Sequence, residues 1–250
     1  MTSTEIATLL IIGVLGHVMA GIWYLAYKGE WAICQKQIYA IKISEKQIRR
    51  ELLNSIHTPV HALLLGLFLY LGFFANRTLM SFTATLALAF VWAEIWHYVS
   101  HRAMHIKALH WIHAEHHKSH INSPFTAISF SFSEKLVFDL GYLGVLAVLD
   151  QIFGLNFLGI AGWYIGYLII NSFSHANFEF RPSNYNSWLG KILTSTTYHS
   201  LHHSRYTGNY GLATRYLDQM FSTEWSDYEG LYEHVTSGKP PLQSLRQKLE

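Results

Sequence analysis

The chain has one cysteine, Cys34, in 250 residues. A single thiol forms no internal disulfide and no thiolate-rich zinc or iron–sulfur site. Charge is also scarce. Asp, Glu, Lys and Arg make up 14% of the sequence, against roughly 25% in soluble domains. The 18 basic and 16 acidic residues leave a net charge of +2. That excludes the concentrated basic field of a nucleic-acid binder. The zincin pattern HExxH is absent, and no Ser or Cys nucleophile sits in a recognisable elbow. With 50% hydrophobic and 15% aromatic residues, the chain can bury ample apolar surface, which excludes disorder. What is plentiful is histidine: 16 residues, as many as all the acids together.

The long apolar runs point to a membrane. Crossing a bilayer takes about 20 mostly apolar residues. Ala7 to Tyr27 is such a run, and its N-terminal flank holds an acid and no Lys or Arg. It therefore reads as a retained helix, not a cleaved signal peptide. Pro59 to Phe74 is a second span, with Thr58 placed to cap it and proline in its first turn. Leu79 to about Glu94 is a third, making a hairpin with the second around Ala75 to Thr78. Leu136 to Leu149 and Phe157 to Ile170 form a shorter hairpin around Gly154, lengthened by polar ends or tilted. The fold expected is all-α: a multi-pass membrane bundle of an N-terminal helix and two hairpins, with a histidine-rich helical cap. The basic segment Lys28 to Glu51 is expected in the cytoplasm. That puts every clustered histidine on the cytoplasmic face of a bacterial inner membrane or the endoplasmic reticulum. Ile38 to Leu53 reads either as an interfacial helix or as a solvated linker helix. The sequon at Asn76 lies in a tight turn too near the bilayer for use.

Twelve of the histidines fall in two stretches. His97-x3-His101-x3-His105 is a series on one helix face, and His113-x2-His116-His117 is a second. The third helix either runs on through both, as far as Asn122, or bends between Arg102 and Leu109. His199-x2-His202-His203 repeats the second spacing, and His175 stands alone before it. A neutral imidazole offers one lone pair to a metal, and neighbours one turn apart can share an ion. His97, His101, His113, His116, His117, His199, His202, His203 and His175 supply ligands for two metals. Imidazole suits iron, zinc, copper or nickel. His105, His110 and His120 fit the same faces but exceed the ligand number, so they read as hydrogen-bonding neighbours of the ligands. His17, His57, His61 and His234 read as ordinary core or surface side chains.

The match extends beyond histidine. Trp96-His97-Tyr98-x2-His101-Arg102-x2-His105, His113-Ala114-Glu115-His116-His117, Ser174-His175-Ala176-Asn177 and His199-Ser200-Leu201-His202-His203 come in that order. Gly208-Asn209-Tyr210-Gly211 and Leu217-Asp218 follow. From about Glu51 to Glu229 this resembles the fatty acid hydroxylase/sterol desaturase superfamily, which includes sterol oxidases and desaturases, fatty acid 2-hydroxylases and carotenoid hydroxylases. Two positions depart from it. Leu217 stands where many relatives have tryptophan, and Glu179 where some carry a further histidine.

The resemblance implies one membrane-embedded oxidase domain over 1–250: an N-terminal helix in 1–30, a catalytic region in 51–229 and a tail in 230–250. It implies an O2-dependent oxidation of a C–H bond in a membrane lipid, giving an alcohol or an alkene. The cofactors would be two metal ions, iron as the redox pair, with zinc in a purified form. Electrons would come from a separate donor, cytochrome b5 or a ferredoxin-like protein. Glu115, Asp218 and Asn209 would orient the ligand imidazoles. Tyr98, Trp111, Phe125, Trp163 and Tyr164 could line a lipid cleft or pack the core. A histidine-rich metal transporter is the rival class, but transporters place ligands at the bilayer midplane. An inactive structural relative is the third reading.

Overall fold

A computed structural model describes residues 1–184 and 188–246; the last residues of the 230–250 tail lie outside the described part. Its helices are α1 (Ser3–Lys28), α2 (Glu45–Asn54), α3 (Val60–Tyr70), α4 (Leu79–Met104) and α5 (His110–His113). They continue with α6 (Phe132–Phe153), α7 (Phe157–Ser174), α8 (Thr196–Arg205), α9 (Tyr216–Met220) and α10 (Tyr228–Thr236). Five rods are long and apolar enough to cross a membrane: α1, the continuous stretch Glu45–Tyr70, α4, α6 and α7. At about 1.5 Å per residue, the 26-residue α1 and α4 each exceed the ~30 Å hydrocarbon core.

Local chemistry sets the helix ends. Thr2 and Glu5 form a capping box on α1. Thr78, Ser131 and Asn156 cap α4, α6 and α7 through their side-chain oxygens. Gly154 ends α6 in the left-handed region, at φ 62°, a conformation that favours glycine. The turns at 71–78 and 154–156 meet at one end of the bundle. There Asp150 accepts from Phe74 N at 3.0 Å and Leu155 N at 2.6 Å. Arg77 ties this end to α1 through Glu5. Asn76 Oδ1 is engaged by the Thr78 amide and hydroxyl.

The bundle packs around Leu65, Leu143, Leu146, Phe157 and Ile160. Its outer surface carries a belt of exposed apolar side chains, among them Leu10, Val14, Leu63, Val91, Val148 and Ile152. Such a surface suits lipid, and the helices satisfy their own backbone groups, as hydrocarbon requires. α8 and α10 form the core of the cap around Tyr198, Leu201, Tyr228 and Tyr232.

Two local expectations change, and two open alternatives are decided. Thr58 does not cap α3, because its backbone is already helical and its hydroxyl donates to Ile128 O at 2.8 Å. The helix within Ile38 to Leu53 begins only at Glu45. Ile38 and Tyr39 lie outside any helix and bond to Asn177, the Ile38 amide to its carbonyl and the Tyr39 amide to its side chain. The third span runs to Met104 and bends there, so the first two histidine boxes lie on separate elements. The second hairpin reaches full length by taking in its polar ends, Ser133 to Lys135 and Asn171 to Ser174.

The α4–α6 contact depends on a missing side chain. Trp96 lies over Gly141, where an added Cβ would fall 2.0 Å from the indole. Gly141→Ala is expected to destabilise the protein by about 1–3 kcal/mol through overpacking. Gly144→Ala, where the same Cβ meets nothing within 4 Å, is expected to be neutral. Thermal unfolding in detergent checks both, and equal stability of the two variants would refute the packing argument.

Candidate metal centre

α4, α5 with the turn after it, the end of α7, and α8 converge at one end of the bundle. They bring nine imidazoles into two groups. One holds His101, His105, His113, His117 and His202; the other holds His116, His175, His199 and His203. Within each group the potential ligand atoms lie within 4.8 Å of one another. The groups adjoin, with the rings of His117 and His203 4.7 Å apart.

Each HxxHH box feeds both groups. Residues i and i+4 share a helix face, whereas i+3 is turned from i+4 by about 100°. On α8, His199 and His203 accordingly face the four-histidine group and His202 the other. In the second box His113 and His117 serve the five-histidine group and His116 the other. Ser195 caps α8 through the Tyr198 amide and sets this rotation. Glu179 supports the same turn, accepting from Thr197 N at 3.1 Å and its hydroxyl at 2.9 Å.

Backbone carbonyls fix the tautomers. His101 Nδ1 meets Tyr210 O at 2.8 Å and His202 Nδ1 meets Gly208 O at 2.8 Å. His116 meets Ser129 O at 3.0 Å, His175 meets Asn171 O at 2.8 Å and His203 meets Ser119 O at 3.0 Å, all through Nδ1. A carbonyl only accepts, so each Nδ1 carries the proton and each Nε2 presents a lone pair. His113 Nδ1 meets a carboxylate instead, Glu134 Oε1, at 2.6 Å.

The lone pairs of His116, His175 and His203 face one another, with His199 beside them. His175 Nε2 lies 3.0, 3.2 and 3.3 Å from the Nε2 atoms of His199, His203 and His116. His202 and His117 approach at 3.0 Å. Neutral imidazoles repel in that arrangement unless a cation sits between them. Burial disfavours a proton: it holds His116, His117, His199, His202 and His203 well below the usual histidine range, and neighbouring imidazoles add to the effect. It brings His175 to about 4 and His105 to about 2. Metal–nitrogen bonds of about 2.0–2.1 Å at tetrahedral angles separate ligand nitrogens by roughly 3.3 Å. The donor set therefore fits metal ions. The Nε2 atoms of His105 and His113 are likewise buried without a hydrogen-bond partner among the described residues.

His97, expected as a ligand, stands outside both groups, and His105 stands inside one. His97 is still within the bundle, stacked on Phe138 at 5.3 Å. α4 ends at Met104, so His105 turns back towards the His101 ring, 5.2 Å away. His97-x3-His101-x3-His105 offered two overlapping pairs, and spacing alone could not choose. His110 approaches only the edge of the centre, 6.1 Å from the His105 ring. His120 is exposed and bonds the Tyr206 hydroxyl at 2.6 Å. His57, His61 and His234 bond backbone carbonyls away from the groups.

The expected carboxylates act differently. Glu115 touches no imidazole; it pairs with Lys118 and Arg50 and accepts from Asn54. Asp218 acts through the loop that holds the ligands. It accepts from Tyr210 N at 2.9 Å and Gly211 N at 2.7 Å, fixing the loop whose carbonyls hold His101 and His202. Burial raises its carboxyl from the usual range, and those bonds oppose the rise. Asn209, at φ 53°, pins the same loop to Tyr198 O and Trp225 N. The residues missed are Glu134 and Glu51. Ser131-x2-Glu134 reads as a helix cap, which it also is. Glu51 looks like one charge of an exposed helix but is buried, accepting from Ser119, Ser123 and Thr126 below the second box.

The model of the fatty acid hydroxylase family matches residues 86–223, just over half of the chain and all nine grouped histidines. The chain belongs to the fatty acid hydroxylase family. Over 156 residues it is 30% identical to the very-long-chain aldehyde decarbonylase GL1-4 of Oryza sativa subsp. indica, covering 58% of this chain and 24% of that protein. Over 145 residues it is 31% identical to Protein CER1-like 2 of Arabidopsis thaliana, covering 56% and 24%. The chain thus spans about a quarter of the length of these relatives. No solved structure matches it.

His202→Ala is expected to empty the five-histidine group and His199→Ala the four-histidine group, each lowering bound metal by about half. Glu134→Gln should weaken metal binding about 10- to 100-fold. Elemental analysis of purified protein reads all three; unchanged metal content in both alanine variants would refute the two-group assignment.

Proposed function

We propose that this family member is an O2-dependent di-metal oxidase that hydroxylates or desaturates a C–H bond of a membrane lipid. The observation that supports this most is the pair of adjacent, buried imidazole groups with opposed lone pairs at one end of an apolar bundle. Iron held there would supply reductive activation of O2, with electrons from a separate donor such as cytochrome b5 or a ferredoxin-like protein.

The chain's own residues make that chemistry possible in three ways. The carbonyl and carboxylate partners of Nδ1 orient six of the imidazoles before any ion binds, and burial keeps the rings neutral. Burial of eight of the nine rings, with His105 half-buried, keeps water from a reactive centre. The exposed apolar belt lets a lipid approach sideways from the bilayer. The names of the plant relatives make a long-chain aldehyde one candidate substrate beside sterols and acyl chains. A transport path is less well supported, because the groups gather at helix ends and not midway along the spans.

The histidine groups share their end of the bundle with the C-terminus of α1 and the basic segment after it. On the positive-inside rule that end is cytoplasmic. A Cys34→Ser chain carrying a single cysteine at exposed Lys239 should react with an impermeant maleimide only after the cytoplasmic side is opened.

The decisive assay is oxidation in lipid vesicles with reductant and isotopically heavy O2. Products should gain one labelled oxygen or lose two hydrogens. His116→Ala and His202→Ala should reduce turnover at least ~100-fold, the scale expected when a metal site is broken. Full turnover by both variants would overturn the proposal.

A further inference from the structure

A second polar feature lies inside the bundle, beside the metal groups. α4, α6 and α7 line a cavity of about 40 Å³, room for a small polar end group and not for a whole ligand. Its wall is mostly aromatic: Trp96, Phe138, Trp163 and Tyr167. The remaining lining is unusual for a lipid-spanning bundle. Lys135 and Asp139, 5% and 3% exposed, form an ion pair at 3.1 Å. The Tyr142 hydroxyl and both nitrogens of His97 are buried and have no hydrogen-bond partner among the described residues. Leaving such groups unpaired costs about 1–3 kcal/mol each, so an absent polar partner is the economical explanation.

We propose that this cavity holds the uncharged oxygen-bearing end of a single-chain lipid, a primary alcohol or an aldehyde, with Tyr142 and His97 as its hydrogen-bonding groups. Lys135 is already neutralised by Asp139. A carboxylate would therefore bring an uncompensated charge into the bundle, whereas a hydroxyl or carbonyl oxygen brings none. The Tyr142 hydroxyl and an imidazole N–H can donate to either oxygen. The other imidazole nitrogen can accept from an alcohol. The bulk of Trp96 and Trp163 leaves no room for a branched headgroup.

This site deepens the oxidase reading and rests on it for its meaning. His97 lies one helical turn before His101, and Lys135 follows Glu134, the partner of His113. The lipid oxygen would then sit about one to two turns of helix from the histidine groups. Oxidation is expected within a few bonds of the oxygenated carbon, not far along the chain.

The test is equilibrium binding of tritiated hexadecanol, hexadecanal, palmitate and hexadecane to the metal-loaded full chain in detergent under nitrogen, where no turnover occurs. Hexadecanol and hexadecanal should bind more tightly than hexadecane and palmitate. Tyr142→Phe removes one unpartnered oxygen and nothing the fold uses. It should lower hexadecanol affinity about fivefold and leave hexadecane unchanged. Asp139→Asn, which frees the Lys135 charge to pair with a carboxylate, should remove the discrimination against palmitate, with an unfolding profile showing that the bundle persists. Equal binding of hexadecanol and hexadecane by the wild type, or an alcohol preference untouched by Tyr142→Phe, would overturn the site. Because binding is read without oxidation, failure of the oxidase assay and failure of this one are separate results.

Discussion

The structure is organised around lone pairs that must not face water. In five imidazoles the Nδ1 proton is held by a backbone carbonyl, at Ser119, Ser129, Asn171, Gly208 and Tyr210. These carbonyls come from four separate parts of the chain. To bring them together, α7 must end near Asn171, the loop after α8 must fold back, and the chain after the second box must double under it. Hydrogen-bond acceptors placed this way fix ring orientation before an ion arrives. The site is therefore a property of the whole fold and not of the histidine boxes alone.

Carboxylates hold those carbonyl-bearing loops. Asp218 grips the loop at 208–211 through two amides and Thr223. Glu51 takes three hydroxyls beneath the second box. Among the described carboxylates, Glu134 alone meets a grouped imidazole directly. Removing any of them would leave buried donors unpaired, which costs more than the bond itself contributes.

The bundle and both HxxHH boxes were legible because each rests on a local rule: apolar length for the spans, and the shared face of i and i+4 for the ligands. Gly154 marked the turn of the second hairpin for the same reason. What stayed hidden was decided by tertiary contacts. The bend after Met104, one of the two courses the sequence left open, turns His105 and not His97 towards the groups, and no proline or glycine there decides it. Glu51 and Glu134 look like surface and capping acids until α2 and α6 are packed. Glu115, lodged inside a box, has a sequence neighbourhood that suggests a role its position does not give it.

The scarcity of charge takes on a different meaning once positions are known. A low charged fraction in a bilayer protein suggests that the remaining charges sit in water. Here several of them are buried. Glu51, Glu134, Asp139 and Asp218 are at most 3% exposed, and Lys135 and Arg215 are 5% and 2%. Arg215 bonds Glu224 at 2.6 and 2.8 Å and lies over the Tyr228 ring. Buried charges add little net stability against apolar replacements, so core stability alone does not account for keeping them. Two of the acids hold loops that carry the carbonyls, one meets an imidazole, and the Lys135–Asp139 pair faces a cavity. The arginine locks the cap beside the loop that Asp218 fixes. A chain with few charges to place has put these where a neutral side chain could not supply the needed donor or acceptor.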